Sequence, residues 1–280
     1  MQRRYLILAA AALVVTAALV FPYAAYALVI APPAGPQRVI NADAVVVGKV
    51  VGIEPQDVMV TNVTYRVAVV KVDDAIRGAK DAKQVRVAFI PPPANPTKLI
   101  RPGFRGVQLA VGNTGMFILK KHEKEDFYTL GGPNGYFINS ENNKNFDDDV
   151  KSVKAIVKIA QDPKAGLKSK DAEEKLIAAA VLVEKYRTFR GGIGKPMEEP
   201  IDAAESKQIL HVLAEADWKQ AVGFGSLKPN PAQLFGRLGV NQNDGFVVPP
   251  GQNYQQVVQT WLRDNAEKYR IKRFVGGDTK

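Results

Sequence analysis

From residue 44 the apolar positions recur in short runs that suit strands. Ala44 to Ile53 is rich in valine, with Gly48 inside it as the expected bulge or bend. Val63 to Val72 alternates: Val63, Tyr65, Val67 and Val69 share one face, and Thr64, Arg66, Ala68 and Val70 the other. Val85–Phe89, Val107–Val111, Met116–Leu119 and Phe127–Leu130 continue the habit, and the charged stretch Lys120–Asp126 between the last two predicts a hairpin. Six short strands in about 90 residues predict a small antiparallel barrel or sandwich. A valine face from Val45 to Val51 is expected to pack on Val67, Val69 and Phe117.

From Asp147 the period becomes helical. Val150, Val153, Ile156 and Val157 form one stripe, stopped by Asp162-Pro163. Ser169 is the expected cap of a second helix, with Asp171, Glu173 and Glu174 in its first turn and Leu176–Tyr186 as its body. Asp202 with Glu205 opens a third that runs through Leu213 towards Trp218, Asn230-Pro231 a short fourth, and Asn253 with Gln256 a fifth. The fold class is therefore α+β: a small antiparallel barrel over residues 28–146, then an all-helical part over 147–280. A Pro/Gly-rich spacer at residues 31–36 precedes the strands.

Residues 1–27 read as an export signal: Arg3 and Arg4, a 15-residue apolar run from Leu6 to Val20, and a small-x-small site at Ala25-Tyr26-Ala27. Cleavage near Ala27 would place the chain in the periplasm or outside the cell; the alternative is an uncleaved anchor over residues 6–27, the one route to a membrane. Residues 28–280 then carry 36 basic and 28 acidic side chains, a net charge of +8. That surplus favours anionic partners, but it is scattered and forms no block of five like charges, which speaks against a nucleic-acid tail.

The chain has no cysteine and only two histidines, His122 and His211. Disulfides, iron–sulfur clusters, thiol chemistry and multi-histidine metal centres are excluded within one chain, and no cofactor is expected. His122–Asp126 gathers ligand-type side chains, but Lys121 and Lys124 interrupt them, so a solvated hairpin tip is expected there. Asp147-Asp148-Asp149 suits a helix start rather than calcium. Gly191–Lys195 fails as a phosphate loop, because Pro196 stands where a Ser/Thr is needed and a helix precedes it. Neither histidine has a Gly-x-Ser-x-Gly serine to serve, and His211 is expected half-buried on a helix. Asn62-Val63-Thr64 is a glycosylation sequon, meaningful only in a eukaryotic secretory pathway. Arg270, Lys272 and Arg273 are expected to complement a helix C-terminus.

The segment from Pro91-Pro92-Pro93 to Arg105 is long for a connection in a small barrel and displays Lys98, Arg101, Phe104 and Arg105 together. A cationic and aromatic set of this kind meets an acidic sugar, a phosphate or a peptide carboxylate.

Ala42–Val50 as opening strand, Tyr65–Val72 leading through Asp73–Arg77 to a glycine turn at Gly78, Gly115–Leu119 as late strand and Phe127–Leu130 after it resemble the netrin-module or TIMP-like group of OB-type barrels, in a diverged bacterial exported form. The resemblance covers residues 40–138 and implies a barrel with a ligand face on its loops. The wedge by which that family inhibits metalloproteinases needs an N-terminal cysteine, which this chain lacks. The expected function is a non-enzymatic binding or scaffold protein of the envelope or extracellular space, with a protein or an anionic polymer as partner. A membrane-anchored protein that binds an anionic polymer and a carboxylate-based glycosidase are the alternatives.

Overall fold

The computed structural model describes residues 35–92, 107–131, 135–189, 197–219 and 226–275. The expected leader lies outside them, as do Lys98, Arg101, Phe104, Arg105 and Gly191–Lys195. The architecture is mixed α+β. A short helix α1 (Gly35–Ile40) precedes strands β1 (Ala44–Ile53), β2 (Val58–Val60), β3 (Val63–Arg77), β4 (Gln84–Phe89), β5 (Thr114–Lys121), β6 (Tyr128–Leu130) and β7 (Tyr136–Ile138). Helices α2 (Phe146–Ile159), α3 (Pro163–Gly166), α4 (Ala172–Arg187), α5 (Ala203–Glu215), α6 (Pro231–Leu238) and α7 (Tyr254–Asn265) follow, with a ladder of β8 (Met197–Pro200) and β9 (Lys272–Val275) among them.

The seven strands β1–β7 form one sheet. β1 pairs with β3, β3 with β4, β4 with β6, β6 with β5, and β5 with β1, so the hydrogen-bonded path returns to its first strand. All of these pairings are antiparallel except β4–β6, where Val87 and Ala88 run parallel to Tyr128 and Thr129. β2 adds to β3, and β7 to β5. The expected hairpin is present, with Lys121 opposite Tyr128. The β1–β3 register shifts at Val47/Gly48, where a bulge was expected. A side chain at Gly48 would place its Cβ 2.2 Å from the Lys71 carbonyl oxygen, so only glycine lets β1 and β3 approach there.

Burial explains the unbroken valine run in β1. Ala44, Val46 and Val50 face an inner cluster with Ala68, Val70, Val87, Phe117 and Leu119. Val45 on the opposite face joins Met116 and Ile118 in a larger cluster with the helices. Strands buried on both faces lose the apolar/polar alternation of a half-exposed sheet. The expected packing of Val67 and Val69 is thereby corrected. The inner face of β3 carries Ala68 and Val70, Val67 belongs to a separate cluster with Ala88 and Phe127, and Val69 is half-exposed.

Four further expectations change. Val107–Val111 is not a strand: Val107 donates to the Ile90 carbonyl and Ala110 N–H to the Asn113 side chain, and the chain turns at Gly112 (φ +93°). Gly35 and Pro36 are the first turn of α1, not a spacer, because α1 packs on α2 and α4 and a Cβ on Gly35 would lie 2.3 Å from the Leu227 carbonyl oxygen. Strand β3 continues to Arg77 before Gly78 (φ +59°) makes the turn. The later half is not all helical, since β8 and β9 pair from Met197 opposite Val275 to Pro200 opposite Lys272.

The helices start where charge and capping dictate. Asp202, Asn230 and Asn253 cap α5, α6 and α7 as expected. The cap of α4 is Asp171, not Ser169: one carboxylate oxygen accepts from Glu173 N–H (2.7 Å) and Glu174 N–H (2.9 Å), while the Ser169 hydroxyl donates to Glu174. A charged acceptor at the positive end of a helix outcompetes a hydroxyl. Helix α5 ends at Glu215, where the Trp218 indole N–H donates to the Leu213 carbonyl. Helix α4 is buried from Ile177 through Val183 and packs against α1, α2, α3, α5, α6 and β9, so an amphipathic stripe is not required of it. The described residues form one compact unit. No helix among the described residues is long and apolar enough to cross a membrane.

Candidate functional site

The two ends of the 93–106 segment emerge at one place. Pro91 and Pro92 leave from the end of β4, Val107 is tied back to Ile90 by a backbone hydrogen bond of 3.2 Å, and beside them opens a cavity of about 710 Å³. Phe89, Ile90 and Leu109 give it an apolar floor; Asn62, Thr64, Arg66 and Gln108 give it polar walls. The expected binding side chains Lys98, Arg101, Phe104 and Arg105 belong to the segment that leaves from this rim. Asn62 of the sequon is exposed on the same rim.

The cations around the site are tethered. Arg66 donates from Nε to Asp57 Oδ1 (3.1 Å), and Asp57 in turn raises the guanidinium's pKa through that hydrogen bond. On the opposite face of β4, Arg86 grips Glu54 with both ends of its guanidinium, Nε to Oε1 at 2.7 Å and Nη2 to Oε2 at 2.9 Å, and reaches the Asp126 carbonyl at 3.0 Å. Both acids lie on the segment between β1 and β3, which sequence alone does not align with either arginine.

That segment also closes the outer face of β3 and β4. Val58 and Val60 of β2 pack with Tyr65, Val67, Ala88 and the buried Phe127. His122 completes the group, its ring 5.0 Å from Phe127 and 6.0 Å from Tyr65. Its Nδ1 accepts from the N–H groups of Lys124 and Glu125, which fixes the hairpin tip. Among the described residues, no group of three or more His, Asp or Glu side chains is placed to hold a metal ion.

The arginine grip on Glu54 has a measurable consequence. The hydrogen bond from Arg86 holds the Glu54 carboxyl below the ordinary glutamate pKa. A depressed folded-state pKa contributes stability above the unfolded value, and that stability is lost as pH falls through the folded value. Both side chains are partly exposed, 41 % for Arg86 and 27 % for Glu54, so the pair contributes about 1 kcal/mol or less. Glu54→Gln is expected to melt lower than the wild type at pH 7, and the gap to shrink below about pH 4. Urea titrations at the two pH values check this; a gap that widens in acid contradicts it.

The remaining candidates serve structure. His211 is half-buried on α5. Asp147 and Asp148 are exposed in the first turn of α2, while burial, then neighbouring Asp148, pushes the Asp149 pKa up. The expected cation cluster at a helix C-terminus is corrected. Helix α7 ends at Asn265; Arg270 donates to the Ile201 carbonyl, and Arg273 pairs with Glu199 across the β8–β9 ladder. Two half-buried groups that the sequence did not single out are Tyr186, whose hydroxyl donates to Glu205 (2.6 Å), and Tyr269, whose pKa is pushed up to about 12 by desolvation. Glu205 also meets Lys164 at 2.8 Å, joining α3, α4 and α5. No protein-family model matches this chain, and no curated protein matches it.

Proposed function

We propose that the protein is an exported, non-enzymatic binding or scaffold protein of the cell envelope or extracellular space, and that its strand half is a netrin-module/TIMP-like barrel of the OB type. The observation that carries this reading is the path of strand pairing. β1, β3, β4, β6 and β5 make a five-membered circuit with one parallel pair, and a circuit leaves no open edge among its members. A five-stranded Greek-key circuit is the layout of an OB barrel. The ligand face is the cavity at the rim of β4 together with the cationic segment that leaves it, and the partner is an acidic polymer or a carboxylate-bearing protein.

Nucleic acid is disfavoured as the partner. OB barrels present single strands with the open face of their second and third strands. Here the corresponding face of β3 and β4 is filled by Val58, Val60 and Phe127, and Arg86 is committed to Glu54.

The test is binding of residues 28–280 to immobilised polygalacturonate and polyphosphate. Arg101→Ala with Arg105→Ala is expected to weaken the preferred polymer about tenfold or more, as loss of charge-assisted hydrogen bonds does. Equal retention of both proteins would overturn the proposal.

A further inference from the structure

We propose that a second site, the groove along α7, binds a short linear oligosaccharide of uncharged sugars. The groove encloses about 790 Å³ between α7 and the 245–252 segment. Asn253, Gln256, Thr260 and Asp264 line it from successive turns of α7, so it runs about 17 Å along the helix, enough for several pyranose units in line.

The two walls differ in chemistry. The helix wall presents an amide, a hydroxyl and a carboxylate from Gln256, Thr260 and Asp264. None of these three side chains makes a hydrogen bond or ion pair with the described residues, whereas the neighbouring Gln255 and Gln259 are spent on the carbonyls of Trp218 and Ala214. The opposite wall is apolar: Val247, 58 % exposed, and Pro249 stand between Gly245 (φ +76°) and Gly251 (φ +79°), whose left-handed backbone turns the segment back beside the helix. Trp261 is a fixed floor, its indole N–H donating to the Asp244 carbonyl and its ring packed edge-on against Phe235, Phe246 and Tyr269.

A pyranose has the matching asymmetry, C–H groups on its faces and hydroxyls around its edge. Amides, hydroxyls and carboxylates satisfy hydroxyls, which both donate and accept. Asp264 is the one ionisable side chain among the described lining residues, in a chain of net charge +10, so the groove lacks the cations that an acidic ligand needs. It is thus distinct in chemistry from the set Lys98, Arg101, Phe104 and Arg105 of the proposed function.

The test is calorimetric titration of the full chain with cellotetraose, xylotetraose, maltotetraose and chitotetraose at low and high salt, with Trp fluorescence as a second readout. At least one sugar is expected to bind saturably and independently of salt. Gln256→Ala with Asp264→Ala is expected to weaken it about tenfold or more at an unchanged melting temperature, and Thr260→Val, made separately, to weaken it in the same direction. Four results would overturn the proposal: no saturable binding of any of the sugars, equal affinity in the variants, loss of binding with salt, or displacement of the sugar by a neutral tetrapeptide amide of equal affinity.

Discussion

Phe117→Ala is expected to lower the unfolding free energy by about 4 kcal/mol, the range for truncating a fully buried aromatic side chain. Phe117 is wholly inaccessible and lies opposite Val46 on β1 and Tyr136 on β7. Its ring belongs to the inner cluster with Ala68, Val70, Val87 and Leu119, side chains carried by strands on either side of the circuit. Small relaxations cannot close the resulting hole, because β5 is hydrogen-bonded along both edges and cannot move inwards without breaking a ladder. Urea unfolding measures the loss directly. Val111→Ala, at a side chain 62 % exposed in the turn before β5, is the matched control and is expected to change stability by less than about 0.5 kcal/mol. Equal effects at the two positions would mean that the sheet encloses no packed interior.

The interior was legible in outline and not in detail. Valine runs and alternation located β1, β3, β4, β5 and β6, but periodicity says nothing about what covers each face. The sequence pattern therefore put Val67 inside, although Phe127 and β2 make a separate cover for it. Helix starts were legible wherever the cap is a single side chain bonding two or three residues ahead, as at Asp202, Asn230 and Asn253. Ser169 misled because two capping types stand two residues apart and the choice between them is electrostatic. Strands β8 and β9 carry no alternation: Met197–Pro200 is wholly exposed, and its pairing with Lys272–Val275 is a long-range outcome. The same limit holds at the candidate sites. The length and charge of the 93–106 segment were visible, but the grips of Asp57 on Arg66 and of Glu54 on Arg86 are set by how the chain returns, not by spacing. The polar side of α7 reads as an ordinary solvent face until the 245–252 segment is placed alongside it.

Arg237→Ala is expected to cost about 3 kcal/mol, chiefly through what it strands. Arg237, on α6, meets the Glu184 carboxylate at 3.0 Å and also donates to Gln37 of α1, so one guanidinium joins three helices. The Glu184 side chain is only 6 % exposed and additionally accepts the Thr188 hydroxyl. Removing the cation leaves a buried carboxylate with one neutral partner, and breaking a buried pair on one side is far costlier than replacing both members. The diagnostic is therefore the double variant. Glu184→Gln keeps the shape and an acceptor for Thr188 but removes the charge, so Arg237→Ala with Glu184→Gln is expected to recover more than half of the loss. A cycle of four urea titrations yields the coupling, which should exceed about 1 kcal/mol, as it does for groups in one buried network. If Arg237→Ala costs no more than an exposed truncation, or if neutralising Glu184 restores nothing, then α6 is held by its apolar side, Leu234, Phe235 and Leu238, and the ion pair only decorates the contact.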